Sequence, residues 1–474
     1  MQIIGRNEQK ELLSAFVASD KPEFVIVYGR RRVGKTFLIK EFFCNNFAFY
    51  HTGLANCNIK KQLQNFSQSL NLYGKMPYPK INNWFDAFAQ LRHLLENDKS
   101  EQKQVVFLDE VPWLDTHRSD FVSALEYFWN SWASSQPQIL LIICGSATSW
   151  IINKIVKNHG GLHNRITQQL FIEPFTLSEC ELFFKENNIE AERHQIVEYY
   201  MILGGIPYYL NLIKKQYSIA QNIDLLFFKE NATLKNEFSN LYASLFKNSD
   251  NYIKIVETLS KKTKGLTRNE IIENAGLLNG GGTTKMLEEL EQCGFIRKYH
   301  DFGKKNRESI FQLVDFFTLF YFNFIHNSKT NDEHYWSNLI DNAKHRAWSG
   351  YAFELLCLSH IEPIKQKLGI SGVLANVSEW RSKNAENGVQ IDLLIDRNDK
   401  VINLCEMKYY NDVFAIDKKM DADLRHKKQV FKDETKTRKA VHITVISTYG
   451  LKHNAYWGNI QSEVTINDLF FTPI

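Results

Sequence analysis

Residues 29–36 read Gly29-Arg30-Arg31-Arg32-Val33-Gly34-Lys35-Thr36, a G-x-x-x-x-G-K-T spacing. Glycines in such a loop let backbone N–H groups curl around phosphate oxygens, and a helix that follows points its positive end at them. Lys35 supplies a point charge to the outer phosphates, and Thr36 offers a hydroxyl to Mg²⁺. The eight residues are therefore expected to bind ATP with Mg²⁺. The adjacent carboxylates Asp109 and Glu110 close a short apolar run. Asp109 is expected to hold Mg²⁺ through water, and Glu110 to orient and polarise the attacking water. Ser146 follows another apolar run and is the candidate γ-phosphate sensor. Arg165 has two readings, stabilising phosphate charge in cis or in trans, or a structural salt bridge. The triple Arg30–Arg32 either adds phosphate affinity or pairs with acidic neighbours.

A second constellation lies near the C-terminus: Asp392, then Glu406-Met407-Lys408. Two carboxylates and the Met407 carbonyl are hard oxygen donors suited to Mg²⁺ or Mn²⁺. A metal there polarises a phosphodiester, and Lys408 orients water or stabilises developing charge. The competing reading is an ordinary hairpin with an exposed ion pair. Asp396 is a weaker alternative ligand. Lys418, Lys419, Lys427 and Lys428 follow, interleaved with Asp417, Asp421 and Asp423; they track a phosphate backbone or form a solvated helix face.

These residues need elements to position them. Residues 24–28 (FVIVY), 105–108 (VVFL) and 139–144 (ILLIIC) read as buried strands, and residues 37–43 as a helix after the glycine loop. Strand, loop and helix come in the order that a phosphate loop requires. Residues 178–244 show helical apolar spacing. Residues 252–259, 267–275 and 283–293 predict three short helices, with Thr267 and Thr283 or Thr284 as N-caps. Residues 294–299 and 309–314 predict two strands around a basic turn holding Lys304, Lys305 and Arg307. Helix–helix–helix–hairpin is a winged helix. Lys285 of the third helix sits among Glu288, Glu289 and Glu291, which opposes insertion into a DNA groove. A packing module is the favoured reading there. Residues 389–396 and 401–408 predict a strand pair, with Glu406 and Lys408 on one face. A three-residue loop at 398–400 carries Asp392 opposite Glu406; a two-residue loop would turn it away.

Several of these motifs resemble the prokaryotic archaeal-type P-loop ATPases, AAA-like members of the wider STAND group. The likeness runs through Ile4-Gly5-Arg6-Asn7-Glu8, GRRRVGKT and FLDE. It continues through Glu173-Pro174-Phe175, Gly204-Gly205-Ile206-Pro207-Tyr208-Tyr209-Leu210, and Leu313-Val314-Asp315-Phe316-Phe317 with Phe320-Tyr321-Phe322. The resemblance implies an α/β P-loop ATPase core (1–175), a helical lid (176–245), a winged helix (246–330) and a restriction-endonuclease-like domain (331–474). Asp-x13-Glu-x-Lys likewise resembles the metal-dependent nuclease motif of that last fold. In it, a glutamate on the first helix completes the metal site, and Glu354, in a helix pattern over residues 350–369, matches that position.

The chain has 474 residues and a net charge of +4. That balance is too even to mark nucleic-acid binding by itself, so any basic surface must be local. Seven cysteines without a Cys-x-x-Cys pair argue against a disulfide framework or a zinc knuckle. His159 and His163 approach a ligand pair, but Gly160 and Gly161 between them favour a loop. No apolar stretch is long enough to span a bilayer, so a cytoplasmic protein without a membrane partner is expected. The expected function is ATP binding and hydrolysis coupled to a metal-dependent DNA nuclease-like domain, by analogy in defence against foreign DNA. DNA, a protein partner or a further copy of the chain are the expected partners. The alternative is a nucleotide-dependent switch or DNA-binding regulator whose C-terminal domain is inactive.

Overall fold

The computed structural model describes residues 2–75, 79–98, 102–157, 161–162, 164–303, 309–326, 328, 332–340, 342–382 and 388–471. His159, His163 and the turn residues Lys304, Lys305 and Arg307 lie outside them. The chain divides into two compact units, Met1–Pro174 and Phe175–Ile474.

The first unit is an α/β layer structure. Its strands are β1 (Glu23–Tyr28), β2 (Phe49–Thr52), β3 (Gln104–Asp109), β4 (Ile139–Gly145) and β5 (Gln168–Phe171). They form one sheet in the order β2-β3-β4-β1-β5, and every pairing is parallel. Parallel sheets are covered by helices on both faces, which is why the interiors of β1, β3 and β4 are apolar rather than alternating. All of Gln104–Asp109 and Ile139–Gly145 is buried. Phe24, Phe49, Trp84, Leu91, Phe121 and Leu141 belong to the core cluster beneath. Charge is tolerated only where these strands end.

The second unit begins with helices, among them Leu177–Glu186, Arg193–Leu203 and Glu237–Leu245. Gly204 and Gly205 both have positive φ, 68° and 64°. At Gly205 a Cβ would stand 2.4 Å from the Phe175 carbonyl oxygen. The Phe175 N–H donates to the Gly205 carbonyl at 2.8 Å. The double glycine is thus required by a left-handed turn and a close backbone approach together.

Next come helices Ser249–Ser260, Arg268–Ala275 and Gly281–Gln292, with β6 (Leu266–Thr267), β7 (Ile296–Tyr299) and β8 (Ile310–Leu313) in the order β6-β8-β7. Thr267 caps its helix in a capping box with Glu270. The third helix departs from expectation. It is capped at Gly280, not at Thr283 or Thr284. The Thr283 hydroxyl instead donates to the Leu278 carbonyl at 2.7 Å, which removes it from capping.

The last sheet comprises β9 (Ala375–Arg381), β10 (Gln390–Arg397), β11 (Val401–Lys408), β12 (Ala440–Ser447) and β13 (Ser462–Thr465), ordered β13-β12-β11-β10-β9. β9, β10 and β11 are antiparallel. Helix Lys418–Thr435 crosses over so that β12 runs parallel to β11. The single helix expected over 350–369 is two, Ala343–Ser359 and Ile361–Lys367. Pro363 lacks the N–H that a continuous helix would give to Ser359 and would crowd its carbonyl, so the helix breaks at His360. Among the described residues, no helix is long and apolar enough to cross a membrane.

Gly205→Ala should lower the melting temperature more than Gly276→Ala. Gly276 shares a positive φ of 62° but has nothing within 4 Å of a Cβ. Both variants carry the left-handed cost of about 1–2 kcal/mol, and only the first adds the clash. Equal shifts in a thermal melt would refute the close approach as the reason for the glycine pair.

Candidate functional site

The phosphate loop leaves β1 at its carboxyl end and enters helix Lys35–Phe42. Gly29 has φ 145°, and a Cβ there would lie 2.3 Å from the Ile172 carbonyl oxygen. Gly34 has φ 89° and precedes the helix. Lys35 is buried, and its Nζ donates to the carbonyls of Gly29 and Arg30 at 2.9 and 2.7 Å. The ammonium therefore lies across the inside of the loop. Arg30 is buried, Arg31 exposed and Arg32 half-buried with φ 73°. The three arginines thus have three different environments. Val33 is buried, and its carbonyl accepts from Arg6 Nη2 at 3.4 Å. The same Arg6 nitrogen donates to the Glu173 carbonyl at 2.7 Å. Arg6 is a positioning residue that the sequence motif contained but the reading gave no role.

Thr36 Oγ1 donates to Asp109 Oδ2 at 2.9 Å. A hydroxyl from the first turn of helix Lys35–Phe42 and a carboxylate from the end of β3 thus converge, and both are hard oxygen donors that fit Mg²⁺ beside a nucleotide's phosphates. The Glu110 N–H donates to Asp109 Oδ1 at 3.0 Å. Ser146 Oγ donates to Glu110 Oε1 and Oε2 at 3.1 and 3.0 Å. β4 lies between β1 and β3, so Ser146 stands between the loop and the carboxylates. Glu110 has φ 49°, a left-handed turn that brings its side chain back over the strand end.

Arg165 is not part of this assembly. Thr167 donates to the Phe24 carbonyl, and Gln168 pairs with Val25. The segment therefore meets β1 at its amino end, whereas the phosphate loop leaves the carboxyl end. Arg165 is exposed, and no side-chain hydrogen bond or ion pair with it is found among the described residues. This placement speaks against a role in cis, and a salt bridge to Arg165 is not seen among the described residues.

At the second constellation, Leu393 pairs with Cys405 and Asp396 with Ile402. Continued along the strands, this register sets Asp392 opposite Glu406, as the three-residue loop requires. Against β9, however, the register of β10 shifts between Ile391 and Leu394. Ile391 and Leu394, three residues apart, consequently share one core cluster. Asp392 lies inside this bulge, a device that re-aims side chains. It lines a cavity of about 780 Å³ together with Glu354, Glu379, His426 and Lys427. Glu406 and Lys408 line a neighbouring cleft of about 380 Å³.

Glu406 is ion-paired twice, with Lys408 Nζ at 2.8 Å and with Lys427 Nζ at 2.7 Å. Burial pushes its carboxyl up, but the two ammoniums outweigh this and hold it below the usual range. Burial likewise works against the Lys408 ammonium, and Glu406 more than compensates, so its pKa is raised. Glu354 has no ion pair among the described residues, and burial and the neighbouring carboxylates raise its pKa more than the nearby Lys408 lowers it. Burial first, then the charges of Asp392 and Glu406, push its pKa up to about 8. Asp396 pairs with Lys439 and leaves the site. Among the described residues, no three His, Cys, Asp or Glu side chains converge closely enough to hold a metal ion. The expected ligand set Glu354, Asp392 and Glu406 is therefore brought near one place but not onto one point.

Glu379 is a residue the sequence reading missed. It is buried on β9, and ion-paired with Arg297 and with Arg381. Its signal was Arg381 two residues on, sharing its strand face. Of the four lysines noted after Lys408, Lys418 and Lys419 are exposed, whereas Lys427 turns inward onto Glu406.

Comparison with known proteins places this geometry. Residues 6–213 match a family described as an ATPase domain predominantly from Archaea. An uncharacterized protein of Methanocaldococcus jannaschii is 24% identical over 410 residues, covering 86% of this chain and 87% of that protein. An uncharacterized ATP-binding protein of the same organism is 44% identical over 45 residues, covering 10% of this chain and 76% of that protein. Among solved structures, the Walker-type ATPase of Pyrococcus abyssi has 17% identity and a TM-score of 0.49, covering 68% of this chain and 96% of that one. Residues 6–213 thus carry an archaeal-type ATPase domain.

Glu354 makes a pH prediction. Its carboxyl titrates at about 8 when folded against 4.5 for the free group. The folded state therefore keeps a proton that the unfolded chain has lost, and stability falls as pH rises from about 4.5 towards 8. Glu354→Gln should flatten that slope and be more stable than wild type at pH 8. Parallel stability–pH curves for the two proteins would refute the burial argument.

Proposed function

We propose that the chain is an ATP-hydrolysing enzyme whose ATPase domain controls a phosphodiester-cleaving site in the C-terminal domain (331–474). DNA is its substrate, and defence against foreign DNA its setting. The domain limits 1–175, 176–245, 246–330 and 331–474 belong to the same proposal.

At the first site, Lys35 holds the outer phosphates, and Thr36 with Asp109 would hold Mg²⁺, whose charge would offset that of the phosphates. Glu110 orients and polarises the attacking water. Ser146 holds Glu110 in place and senses the terminal phosphate. Arg165 lies beside the amino end of β1, whereas the loop leaves its carboxyl end, so it is left a role only in trans, completing a neighbouring copy.

The observation that carries the second half is the β10–β11 register, which pairs Leu393 with Cys405 and, continued by one residue, would set Asp392 opposite Glu406. The strand order and the crossover helix support it. Lys408 stabilises charge on the phosphate, and the carboxylates orient water. Carboxylate chemistry also suits Mg²⁺ or Mn²⁺, although the arrangement described does not hold one, so no step is routed through it.

Coupling between the sites is supported by His194, which belongs to the matched ATPase region. Its ring stacks between Tyr409 and Tyr449, with centroids at 5.6 and 5.4 Å. Tyr409 is the residue after Lys408, and it also packs against Phe353, the residue before Glu354. A shift of the lid helix would therefore reach both site residues through their chain neighbours.

The second reading is a nucleotide-dependent switch whose C-terminal domain binds nucleic acid or protein without cutting. The carboxylates that do not converge favour it. The test is degradation of plasmid and linear DNA with Mg²⁺ or Mn²⁺, with and without ATP. Under the first reading, Lys408→Ala abolishes cleavage and leaves ATP hydrolysis, while Lys35→Ala removes hydrolysis and any ATP response. No cleavage by wild type in any condition selects the switch. Independently, Glu110→Gln should keep ATP binding and lower hydrolysis by about a hundredfold or more; unchanged turnover would remove Glu110 from the water-orienting role.

A further inference from the structure

Two arms of the first unit leave the ATP site and meet again further out. One starts at Glu110, runs through helix Val111–Leu114, and continues over residues 115–123. The other starts at Ser146, runs through helix Thr148–Ile151, and continues as the π-helical turn Ile152–Val156. Their roots touch, because Ser146 Oγ donates to Glu110. They touch a second time where Trp150 Nε1 donates to Asp115 Oδ2 at 2.9 Å. Beside that contact the arms flank a cavity of about 450 Å³. Arg118, Ser119, Asp120 and Ser123 line it from the first arm, and Asn153 and Lys154 from the second.

Most of these side chains are donors. Arg118 and Lys154 are exposed, one on each arm, and neither has an ion pair or side-chain hydrogen bond among the described residues. Ser123 and Asn153 are exposed with them. Of the carboxylates in the lining, Asp115 is engaged by Trp150, and Asp120 is exposed. Two cations outweigh that one open carboxylate. Cations with hydroxyl and amide donors suit phosphate oxygens, which are anionic and only accept. The backbone is also unusual here. Arg118 and Asp120 are left-handed, with φ of 58° and 57°, and Asn153 and Lys154 lie in the π-helical turn. Both conformations are costly and concentrate where ligands bind.

We propose that this cavity is a nucleic-acid phosphate site of the ATPase domain, where Arg118 and Lys154 hold the backbone of a DNA strand between the arms rooted at Glu110 and Ser146. The proposal rests on the ATPase reading of the first site and needs nothing from the C-terminal one. The cavity is far larger than one phosphate group. A strand carries phosphates at a fixed short repeat, so neighbouring ones can engage the cations of both arms; peptide carboxylates have no such spacing. A strand drawn between the arms changes their separation. The arms carry that change to the residue that orients the attacking water and to its hydroxyl partner. Strand binding and nucleotide binding are thereby coupled.

The experiment measures binding of a short fluorescent duplex to the full-length protein across a salt series, in EDTA so that nothing is cut. In Arg118→Gln/Lys154→Gln, the slope of log affinity against log salt should be shallower than that of wild type by about two. Arg118→Lys/Lys154→Arg, which keeps both charges, should keep the slope. So should Lys60→Gln/Lys61→Gln, which removes two exposed lysines elsewhere on the same unit. With Mg²⁺ and ATP, the duplex should raise hydrolysis by wild type several-fold and leave the cavity variant at its basal rate. A basal rate equal to that of wild type shows the cavity variant to be folded. If the rates differ, Ser123→Asp, which places an anion in the same cavity, takes its place and should weaken duplex binding. An unchanged slope in the cavity variant, an equal loss in the Lys60 and Lys61 control, or stimulation that the cavity variant retains overturns the proposal. A wild type that binds no duplex overturns it too. Binding of polyglutamate or inorganic phosphate that depends on Arg118 and Lys154, with duplex binding unchanged, also overturns it and gives the cavity to those anions. Failure of the nuclease reading is seen separately, as absence of cleavage, and does not alter these outcomes.

Discussion

A carboxylate taken out of water must find a donor or a cation, or it must keep its proton. Both candidate sites are worked out under that constraint. Asp109, nearly inaccessible at 3% exposure, accepts from Thr36. Glu110 accepts from Ser146. Glu406 takes two lysines, and Glu379 takes two arginines. Glu354 finds none of these and keeps its proton to about pH 8. The partners are what a ligand must replace. At the first site they are neutral hydroxyls, which can stay and coordinate. At the second, Glu406 meets ammoniums, which themselves offset its charge. The same physical rule therefore yields a site whose oxygen donors meet and a site whose carboxylates are paired with lysines or keep their proton.

Legibility from sequence followed the range of the interactions. The phosphate loop is local: strand, glycines and helix are contiguous, so residue types alone specify it. The β10–β11 register was also within reach, because turn length sets it over a few residues. The bulge at Asp392 was not, since it exists only against β9, and nothing in residues 389–396 marks it. Arg165 failed for the same reason. Its distance from the loop depends on β5 pairing parallel to β1, so that the residues before β5 meet the amino end of β1, and that pairing is not written in a segment's own composition. The break at His360 had a local cause in Pro363, which the apolar pattern of residues 350–369 outweighed in the reading. Lys427 differs from Lys418, Lys419 and Lys428 by helix phase against the sheet, a quantity visible only once the helix is docked.

The helix-and-hairpin segment of the second unit has its place explained by an edge. β9 ends its sheet and would expose unpaired backbone groups. Asp301 forms a parallel bridge with Glu379, and the Phe302 N–H donates to the Glu379 carbonyl at 2.7 Å. Phe302 then packs on Phe431 of the crossover helix at 5.4 Å. The hairpin thereby covers the edge, and Arg297 from β7 reaches Glu379 in the wall of the larger cavity. Thr263, Lys264 and Gln312 of the same segment line that cavity too. Gln312 fixes the approach by donating to the Thr263 carbonyl at 2.6 Å. A segment anchored by backbone pairing, an ion pair and an aromatic contact is one wall of the site, which favours packing over free reading of DNA. A ligand that fills the cavity would touch both the sheet that carries the carboxylates and the segment that covers its edge.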